Sequence, residues 1–208
     1  MSSNEKNLET LNEIRSMMDR SSRFISLSGW SGIVAGIAAL IGAWFARQKI
    51  NTHYEGSDNM PDTCPTCLRN DLLLIAVIVF LASLISALFF TYQKSRKDRV
   101  AIWGKTAKRL MWHTLLPMTA GGFLLWRMIA LEQFELIAPA SLIFYGLALV
   151  NGSKYTVGEV RFLGYAIIAT GIFNLWAIGY GLECWAFGFG ALHIIYGFTM
   201  WLKYEKKS

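Results

Sequence analysis

The strongest constraint on this chain is the way six apolar stretches divide its positive charges. The stretches span residues 25–45, 72–91, 111–131, 136–150, 162–179 and 182–202. If each one crosses a membrane, sixteen of the twenty Lys and Arg residues lie on one side and three on the other, with only Arg127 inside a stretch. Cytoplasmic flanks of membrane proteins are enriched in Lys and Arg. The sequence therefore predicts an all-α membrane protein, a bundle of six transmembrane helices with both termini in the cytoplasm.

Composition points the same way. Hydrophobic residues make up 54% of the 208 residues and charged residues only 16%, which is too apolar for an ordinary soluble domain. The stretches 25–45 and 72–91 contain no charge, and each has the ~20 residues needed to cross a hydrocarbon layer of ~30 Å. The net charge of +6 is explained by cytoplasmic Lys and Arg, so we expect a lipid bilayer and no nucleic acid as partner.

Nearly the whole chain belongs to one membrane domain. A polar segment precedes the first stretch, so we expect that stretch to be a retained span and not a cleaved signal. Turn-forming residues are frequent between the first two stretches, where we expect an external loop with turns or partial order. The predicted segments are a cytoplasmic amphipathic helix (1–23), the six-helix domain (24–204) with its external loop (46–71) and basic cytoplasmic loop (93–110), and a cytoplasmic tail (205–208).

Glycines in the first and last stretches predict close contacts between helices. Gly32 and Gly36 form a G-x-x-x-G pair, and Gly190 and Gly197 lie two turns apart in the sixth stretch. Small residues let helix backbones approach closely in lipid. We expect these glycines to pack helices together within the bundle; dimerisation of two chains is the alternative.

The cytoplasmic connection between the second and third stretches is strongly basic. Such residues beside helix ends attract anionic lipid head groups, at ~1 kcal/mol for each one near the surface. The alternative is that they serve only to set the topology. The seven residues are Lys94, Arg96, Lys97, Arg99, Lys105, Lys108 and Arg109.

The external loop contains a C-x-x-C motif, Cys64 to Cys67, and Cys184 lies on the same side of the membrane. In an oxidising compartment this motif is typical of a structural disulfide. It also fits a redox dithiol that exchanges electrons with a quinone, or half a zinc site. A zinc site would need His53 and Cys184 as further ligands. We predict a disulfide and no metal.

His193 is the most unusual group inside a span. Gly190 and Gly197 share its helical face, so we expect the imidazole to point at a neighbouring helix. An ionisable group at this depth is a functional candidate; the alternative is an interhelical hydrogen bond worth ~0.6 kcal/mol. Thr170 lies at the same depth and Asn174 one turn further out. We predict a neutral His193 that hydrogen-bonds to Thr170.

Two further residues bear on cofactors and transport. His113 lies about three turns from the depth of His193, which argues against a haem held by both, and no cofactor is predicted. Arg127 lies near the outer end of its span, where its side chain reaches the surface. None of the fourteen acidic residues lies in the interior of a span, unlike in proton-coupled carriers. We expect Arg127 to form a structural ion pair with an acidic residue at the same surface, and anion binding is the alternative. The acidic residues there are Glu132, Glu135 and Glu183.

Several segments resemble a known group of proteins. They are R-S-S-R-F (20–24), F-Y-G-L-A (144–148), N-G-S-K-Y (151–155) and G-F-G-A-L-H-I-I-Y-G (188–197). Together they resemble small six-span membrane proteins of bacteria that carry no assigned activity. The resemblance covers most of the chain except the external loop. It implies a helical bundle in a bacterial inner membrane, and it carries over no functional residue.

These observations predict a multi-pass protein that acts as an accessory, sensory or scaffolding component and has no catalytic residues. Two alternatives stay open. One is a thiol–quinone redox protein built on Cys64 and Cys67, and the other is a small-solute transporter built on Arg127 and His193. A homo-oligomer or a membrane partner protein is compatible with each of them.

Overall fold

The computed structural model describes residues 28–56, 65–97 and 104–205. Within these ranges the chain is helical and contains no strand, which agrees with the predicted all-α class. The predicted amphipathic helix (1–23) lies outside the described residues. The helices are α1 (Gly29–Gly56), α2 (Pro65–Lys97), α3 (Lys105–Ala130), α4 (Ile137–Gly152), α5 (Glu159–Trp176) and α6, with short 3₁₀ turns at Phe134–Leu136 and Ser153–Tyr155.

The last helix, α6, is continuous but changes its winding. It begins as an α-helix (Gly181–Trp185), widens into a π-helix (Ala186–Ala191), returns to an α-helix (Leu192–Met200) and ends in a second π-helical turn (Trp201–Glu205). A π-turn inserts one extra residue and so rotates the following side chains relative to an unbroken α-helix. This rotation determines where His193 points.

The helices pack mainly as antiparallel neighbours. α4, α5 and α6 form the centre of the bundle, with Leu142 and Ile167 fully buried between them. α1 packs on α6, α2 packs on α1, and α3 packs on α4. Ion pairs mark the two ends of the bundle: Arg47 pairs with Glu183 and Lys203 with Glu159. We call these the Arg47 end and the Lys203 end.

Among the described residues, four helical segments are long and apolar enough to cross a membrane. The remaining two, α3 and α5, carry charges in their first turns, such as Lys108 and Arg161. They nevertheless lie alongside helices that qualify, because α3 packs on α4 and α5 packs on both α4 and α6. The four qualifying segments are Gly29–Tyr54, Thr66–Lys97, Phe134–Tyr155 and Gly181–Lys203.

The loop expected over residues 46–71 is helical at 46–56 and 65–71, which is more order than the turns or partial order expected there. The polar residues that follow the first apolar stretch continue the helix beyond it. Lys49 of α1 pairs with Asp71 of α2 at 2.8 Å, which holds the two extensions side by side. The basic loop (93–110) is likewise helical up to Lys97 and again from Lys105.

The end of α3 is closed by a left-handed residue. The amide of Gln133 donates to the carbonyl of Met128, and that of Glu132 donates to Ile129, the two hydrogen bonds of a Schellman motif. Glu132 has a φ of 58°, a conformation that glycine adopts without strain and that costs other residues about 1 kcal/mol. This motif turns the chain back toward α4.

Candidate functional site

Glycines bring the backbones of α1 and α6 into direct contact. A Cβ atom on Gly36 would lie 2.7 Å from the carbonyl oxygen of Gly190, and one on Gly197 would lie 2.5 Å from the carbonyl oxygen of Gly29. A Cβ on Gly32 would lie 3.2 Å from the Cα of Gly197. The four glycines predicted to pack helices therefore meet across one interface inside the chain.

A second glycine contact joins α4 to α5. A Cβ on Gly146 would lie 2.8 Å from the carbonyl oxygen of Gly164, and a Cβ on Gly164 would lie 2.9 Å from that of Gly146. The contact is reciprocal, so a side chain on either residue would separate the helices. The first glycine contact fixes α6 against α1, and the second fixes α4 against α5. The polar groups described next lie between α6 and α4.

His193 is buried between α6 and α4, with 7% of its surface exposed. Its Nδ1 lies 3.0 Å from the carbonyl oxygen of Gly188, and its Nε2 lies 2.8 Å from the hydroxyl of Tyr145. Because a carbonyl only accepts, Nδ1 carries a proton; in the neutral ring Nε2 then accepts the Tyr145 hydroxyl proton. Both ring nitrogens are therefore used within the protein.

The π-helical segment creates this arrangement. The amide of Leu192 bonds to the carbonyl of Phe187, five residues earlier, as a π-turn requires. A Cβ on Gly188 would lie 2.4 Å from Cδ2 of Leu142, so the widened turn packs tightly on α4. As a result the Gly188 carbonyl faces the imidazole of His193 and accepts its Nδ1 proton.

Aromatic rings surround the Tyr145–His193 pair. Phe189 lies 5.0 Å from Tyr145 and 6.1 Å from His193, measured between ring centroids, and it stacks on the imidazole at 14°. Trp185 lies 5.0 Å from Phe189 on the opposite side. The hydrogen bonds of His193 are therefore enclosed by apolar surface, where an interhelical hydrogen bond is well shielded from water.

The expected hydrogen bond between His193 and Thr170 is wrong. The Thr170 hydroxyl donates to the carbonyl of Ala166, 2.9 Å away within α5, and the partner of His193 is Tyr145 of α4. Ser and Thr hydroxyls in helices commonly bond to the preceding turn in this way. The sequence did contain a signal, since Tyr145 is a polar aromatic residue in the middle of an apolar span beside Gly146.

Asn174 is another buried polar residue of the bundle, with 3% of its surface exposed. Its Nδ2 donates to the carbonyl of Ala177 at 3.1 Å, which satisfies a carbonyl just beyond the end of α5. Its Oδ1 is buried and has no hydrogen-bond partner among the described residues. A Cβ on Gly181 would lie 4.0 Å from that oxygen, so Asn174 faces the start of α6.

A second tyrosine–histidine pair lies nearer the Lys203 end, and sequence reasoning did not identify it. His113 of α3 stacks on Tyr155 with centroids 4.9 Å apart, and its Nε2 lies 3.0 Å from the Tyr155 hydroxyl. Asn151 donates to the His113 carbonyl at 2.8 Å. His113 and His193 thus each have a tyrosine of their own, and these two imidazoles do not share a site.

The structure separates the other candidate residues. Arg127 lies exposed in the last turn of α3, whereas Glu183, one of the acidic residues considered for it, pairs with Arg47. Six of the seven basic residues lie at the facing ends of α2 and α3, and Arg99 falls outside the described residues. The six are Lys94, Arg96, Lys97, Lys105, Lys108 and Arg109.

Two of the three cysteines lie in the described residues and differ in state. Cys67 is disulfide-bonded, so its sulfur is not available as a thiolate for zinc. Cys184 is a free thiol and is buried. Cys64 lies outside the described residues, and its pairing with Cys67 stays a prediction. No group of three potential metal ligands occurs among the described residues.

Cys184 lines a surface groove between α5 and α6 at the Arg47 end. The groove has a volume of about 680 Å³, within the ~300–1,000 Å³ of small-molecule sites. Most of its walls are apolar, and Glu183 and Tyr180 lie at its mouth. The lining residues are Ala169, Thr170, Phe173, Ala177, Tyr180, Glu183, Cys184 and Phe187.

Comparison with known proteins adds no family to these observations. No protein-family model, curated protein or solved structure matches the chain.

Proposed function

We propose that this chain is a six-span protein of a bacterial inner membrane and that it acts as a non-enzymatic accessory, sensory or scaffolding component. The observation that carries the proposal is the way His193, an ionisable residue buried inside the bundle, is used. Both of its nitrogens are engaged, with Tyr145 and with Gly188. The hydrogen bond to Tyr145 holds α6 to α4, and no ring nitrogen is left to bind a substrate.

The six-span topology is supported by packing. A Cβ on Gly121 of α3 would touch Phe144 of α4, and one on Gly152 of α4 would lie 2.7 Å from the Thr114 hydroxyl. α3 therefore runs antiparallel to α4 over most of the length of α4, which is itself apolar enough to span. Two helices that share this length share the hydrocarbon layer, despite the charges in the first turns of α3.

The charges support the orientation. The Lys203 end receives the ends of α2 and α6 and the beginnings of α3 and α5, which carry eight of the thirteen Lys and Arg residues in the described ranges. By the positive-inside rule this end is cytoplasmic, and the Arg47 end is external. The basic residues of α2 and α3 then lie where anionic lipid head groups occur, and we propose that they contact such lipids. The resemblance to bacterial six-span proteins supports the choice of membrane.

Geometry weighs against one form of the thiol–quinone alternative, a relay of electrons between Cys67 and Cys184. Two ion pairs to α1 give the relative depths of Cys184 and Cys67. Glu183, which precedes Cys184, pairs with Arg47. Asp71 of α2 pairs with Lys49, two residues further along α1. Cys67 lies one helical turn beyond Asp71. The two residues along α1 and the four along α2 each add ~1.5 Å, so Cys67 is about 9 Å further out than Cys184. Thiol–disulfide exchange needs direct contact between the sulfurs, so a relay between these two would require a large movement.

The transporter alternative rests on residues that do not share a site. Arg127 is exposed at one end of α3, which packs on α4. His193 belongs to α6 and is buried against a different face of α4, where it contacts Tyr145. No single solute would contact both.

A redox assay tests the proposal. The protein is purified into lipid nanodiscs, its visible spectrum is recorded, and reduction of soluble ubiquinone and menaquinone analogues by a dithiol is measured. We expect the rate to equal that of a Cys64→Ser/Cys67→Ser variant, which is the matched control. Turnover that the wild type shows and the double variant lacks would contradict the non-enzymatic proposal.

A further inference from the structure

We propose that the groove between α5 and α6 is a binding site for a phospholipid with a phosphoethanolamine head group. The acyl chain would lie in the groove, and the head group would lie at its mouth between Arg47 and Glu183. This site is distinct from the basic residues at the Lys203 end. It rests on the proposed membrane location, although not on the absence of enzymatic activity.

The dimensions of the groove fit an acyl chain of one leaflet. Its lining on α5 runs from Ala169 to Ala177, which is about 12 Å along the helix. One leaflet contributes about 15 Å of hydrocarbon. If its mouth lies at the membrane surface, the groove reaches close to the midplane. Phe173 and Phe187 supply aromatic walls, and the Thr170 hydroxyl is already bonded to a carbonyl of its own helix.

The charges at the mouth are complementary to a zwitterionic head group. Arg47 and Glu183 form an ion pair whose side chains are 49% and 41% exposed, so both remain accessible to a lipid. A guanidinium binds a phosphate through two parallel hydrogen bonds. A carboxylate accepts hydrogen bonds from a primary ammonium. Phosphoethanolamine carries both of these groups and can bind Arg47 and Glu183 together.

The same pair discriminates between lipid classes. A phosphatidylglycerol brings a phosphate but no cation, so it leaves Glu183 without a partner and adds a negative charge beside it. A phosphatidylcholine brings a quaternary ammonium, which has no N–H to donate. We therefore expect phosphatidylethanolamine to bind more tightly than either lipid with the same acyl chains, by about tenfold, the effect of one hydrogen bond between charged groups.

Native mass spectrometry of the delipidated full chain measures this directly. The protein in detergent is titrated with the dioleoyl forms of phosphatidylethanolamine, phosphatidylcholine and phosphatidylglycerol. Glu183→Gln is expected to lower the affinity for phosphatidylethanolamine about tenfold, to that of phosphatidylcholine. Asp71→Asn is the matched control, since Asp71 belongs to the neighbouring ion pair but does not line the groove; its affinities should change less than twofold.

A second variant tests the acyl-chain site independently of the head group. Ala169 is exposed at the deep end of the groove, so Ala169→Trp fills the groove without disturbing the core. It should weaken binding of all three lipids, whereas Ala76→Trp, at an exposed alanine of α2, should not. The lipid should also slow alkylation of Cys184 by N-ethylmaleimide, read from the mass of the Cys184 peptide.

Three results would overturn the assignment. One is equal affinity for the three lipids in the wild type. Another is an equal effect of Glu183→Gln and Asp71→Asn. The third is protection of Cys184 by a quinone analogue but not by phosphatidylethanolamine, which would make the groove a quinone site. None of these results depends on the redox assay, so failure of the two proposals can be told apart.

Discussion

The glycine contact between α1 and α6 makes a quantitative prediction for Gly197→Ala. The added Cβ would lie 2.5 Å from the carbonyl oxygen of Gly29 and 2.7 Å from the amide nitrogen of Ile33. Both are backbone atoms, so no side chain can rotate away and the two helices must separate by close to 1 Å. Overpacking of this kind costs about 1–3 kcal/mol.

A gain in helix propensity opposes this cost. Replacing glycine with alanine inside a helix stabilises it by up to about 1 kcal/mol. Because the clash involves two backbone atoms, we take the upper part of the overpacking range and expect Gly197→Ala to lower the free energy of unfolding by about 1–2 kcal/mol. Gly32→Ala, whose Cβ would meet the Cα of Gly197 at 3.2 Å, should have a smaller effect.

Gly122→Ala is the control, since nothing lies within 4 Å of a Cβ at Gly122 on α3. It gains the propensity without the clash, and should be neutral or stabilising by up to about 1 kcal/mol. Unfolding of the purified proteins in mixed micelles, followed by far-ultraviolet circular dichroism as the fraction of sodium dodecyl sulfate increases, gives both values. A Gly197→Ala protein as stable as Gly122→Ala would refute the proposed backbone contact.

Three further predictions follow from the same structure. A double-mutant cycle of Tyr145→Phe and His193→Leu in the same unfolding assay should give a coupling of about 0.6 kcal/mol and at most about 1.7 kcal/mol; zero coupling would mean that the hydrogen bond does not form. Without reductant, alkylation should label Cys184 slowly and leave Cys67 unlabelled, and a labelled Cys67 would contradict its disulfide. Glu132→Gly should raise the free energy of unfolding by about 1 kcal/mol, because glycine adopts the left-handed conformation at no steric cost; a loss of stability would show that the Glu132 side chain matters more than its backbone.

The positions of the helices could be predicted from the sequence because each helix forms its backbone hydrogen bonds within its own apolar stretch. The ends of the helices could not be predicted. The polar residues after the first stretch, such as Lys49, look like a loop by composition, but they continue α1 because Asp71 on α2 provides an ion-pair partner. The ion-pair partner lies on a neighbouring helix, so the sequence pattern of the segment itself does not reveal it.

The candidate site shows the same limit. The imidazole of His193 does point at another helix, but not at the one its neighbouring glycines contact: Gly190 and Gly197 pack on α1, whereas the ring faces Tyr145 of α4. Depth alone then suggested Thr170. The true partner, Tyr145, depends on two features that spacing does not reveal: the π-turn before His193, which rotates the ring, and the packing of α4 beside α6.

The number of membrane crossings is the central claim, and two connecting segments decide it. With six spans, Gln133 lies outside the cell and Lys154 in the cytoplasm. If only the four most apolar helices crossed, with α3 and α5 on the membrane surface, the same termini would result but these two positions would exchange sides.

Single cysteines at the two positions give the answer. Gln133→Cys and Lys154→Cys are made separately in a background with Cys64, Cys67 and Cys184 replaced by serine, and both sites are exposed. With six spans, a membrane-impermeant maleimide labels position 133 in intact spheroplasts and position 154 only after permeabilisation. The reverse pattern would contradict the six-span bundle.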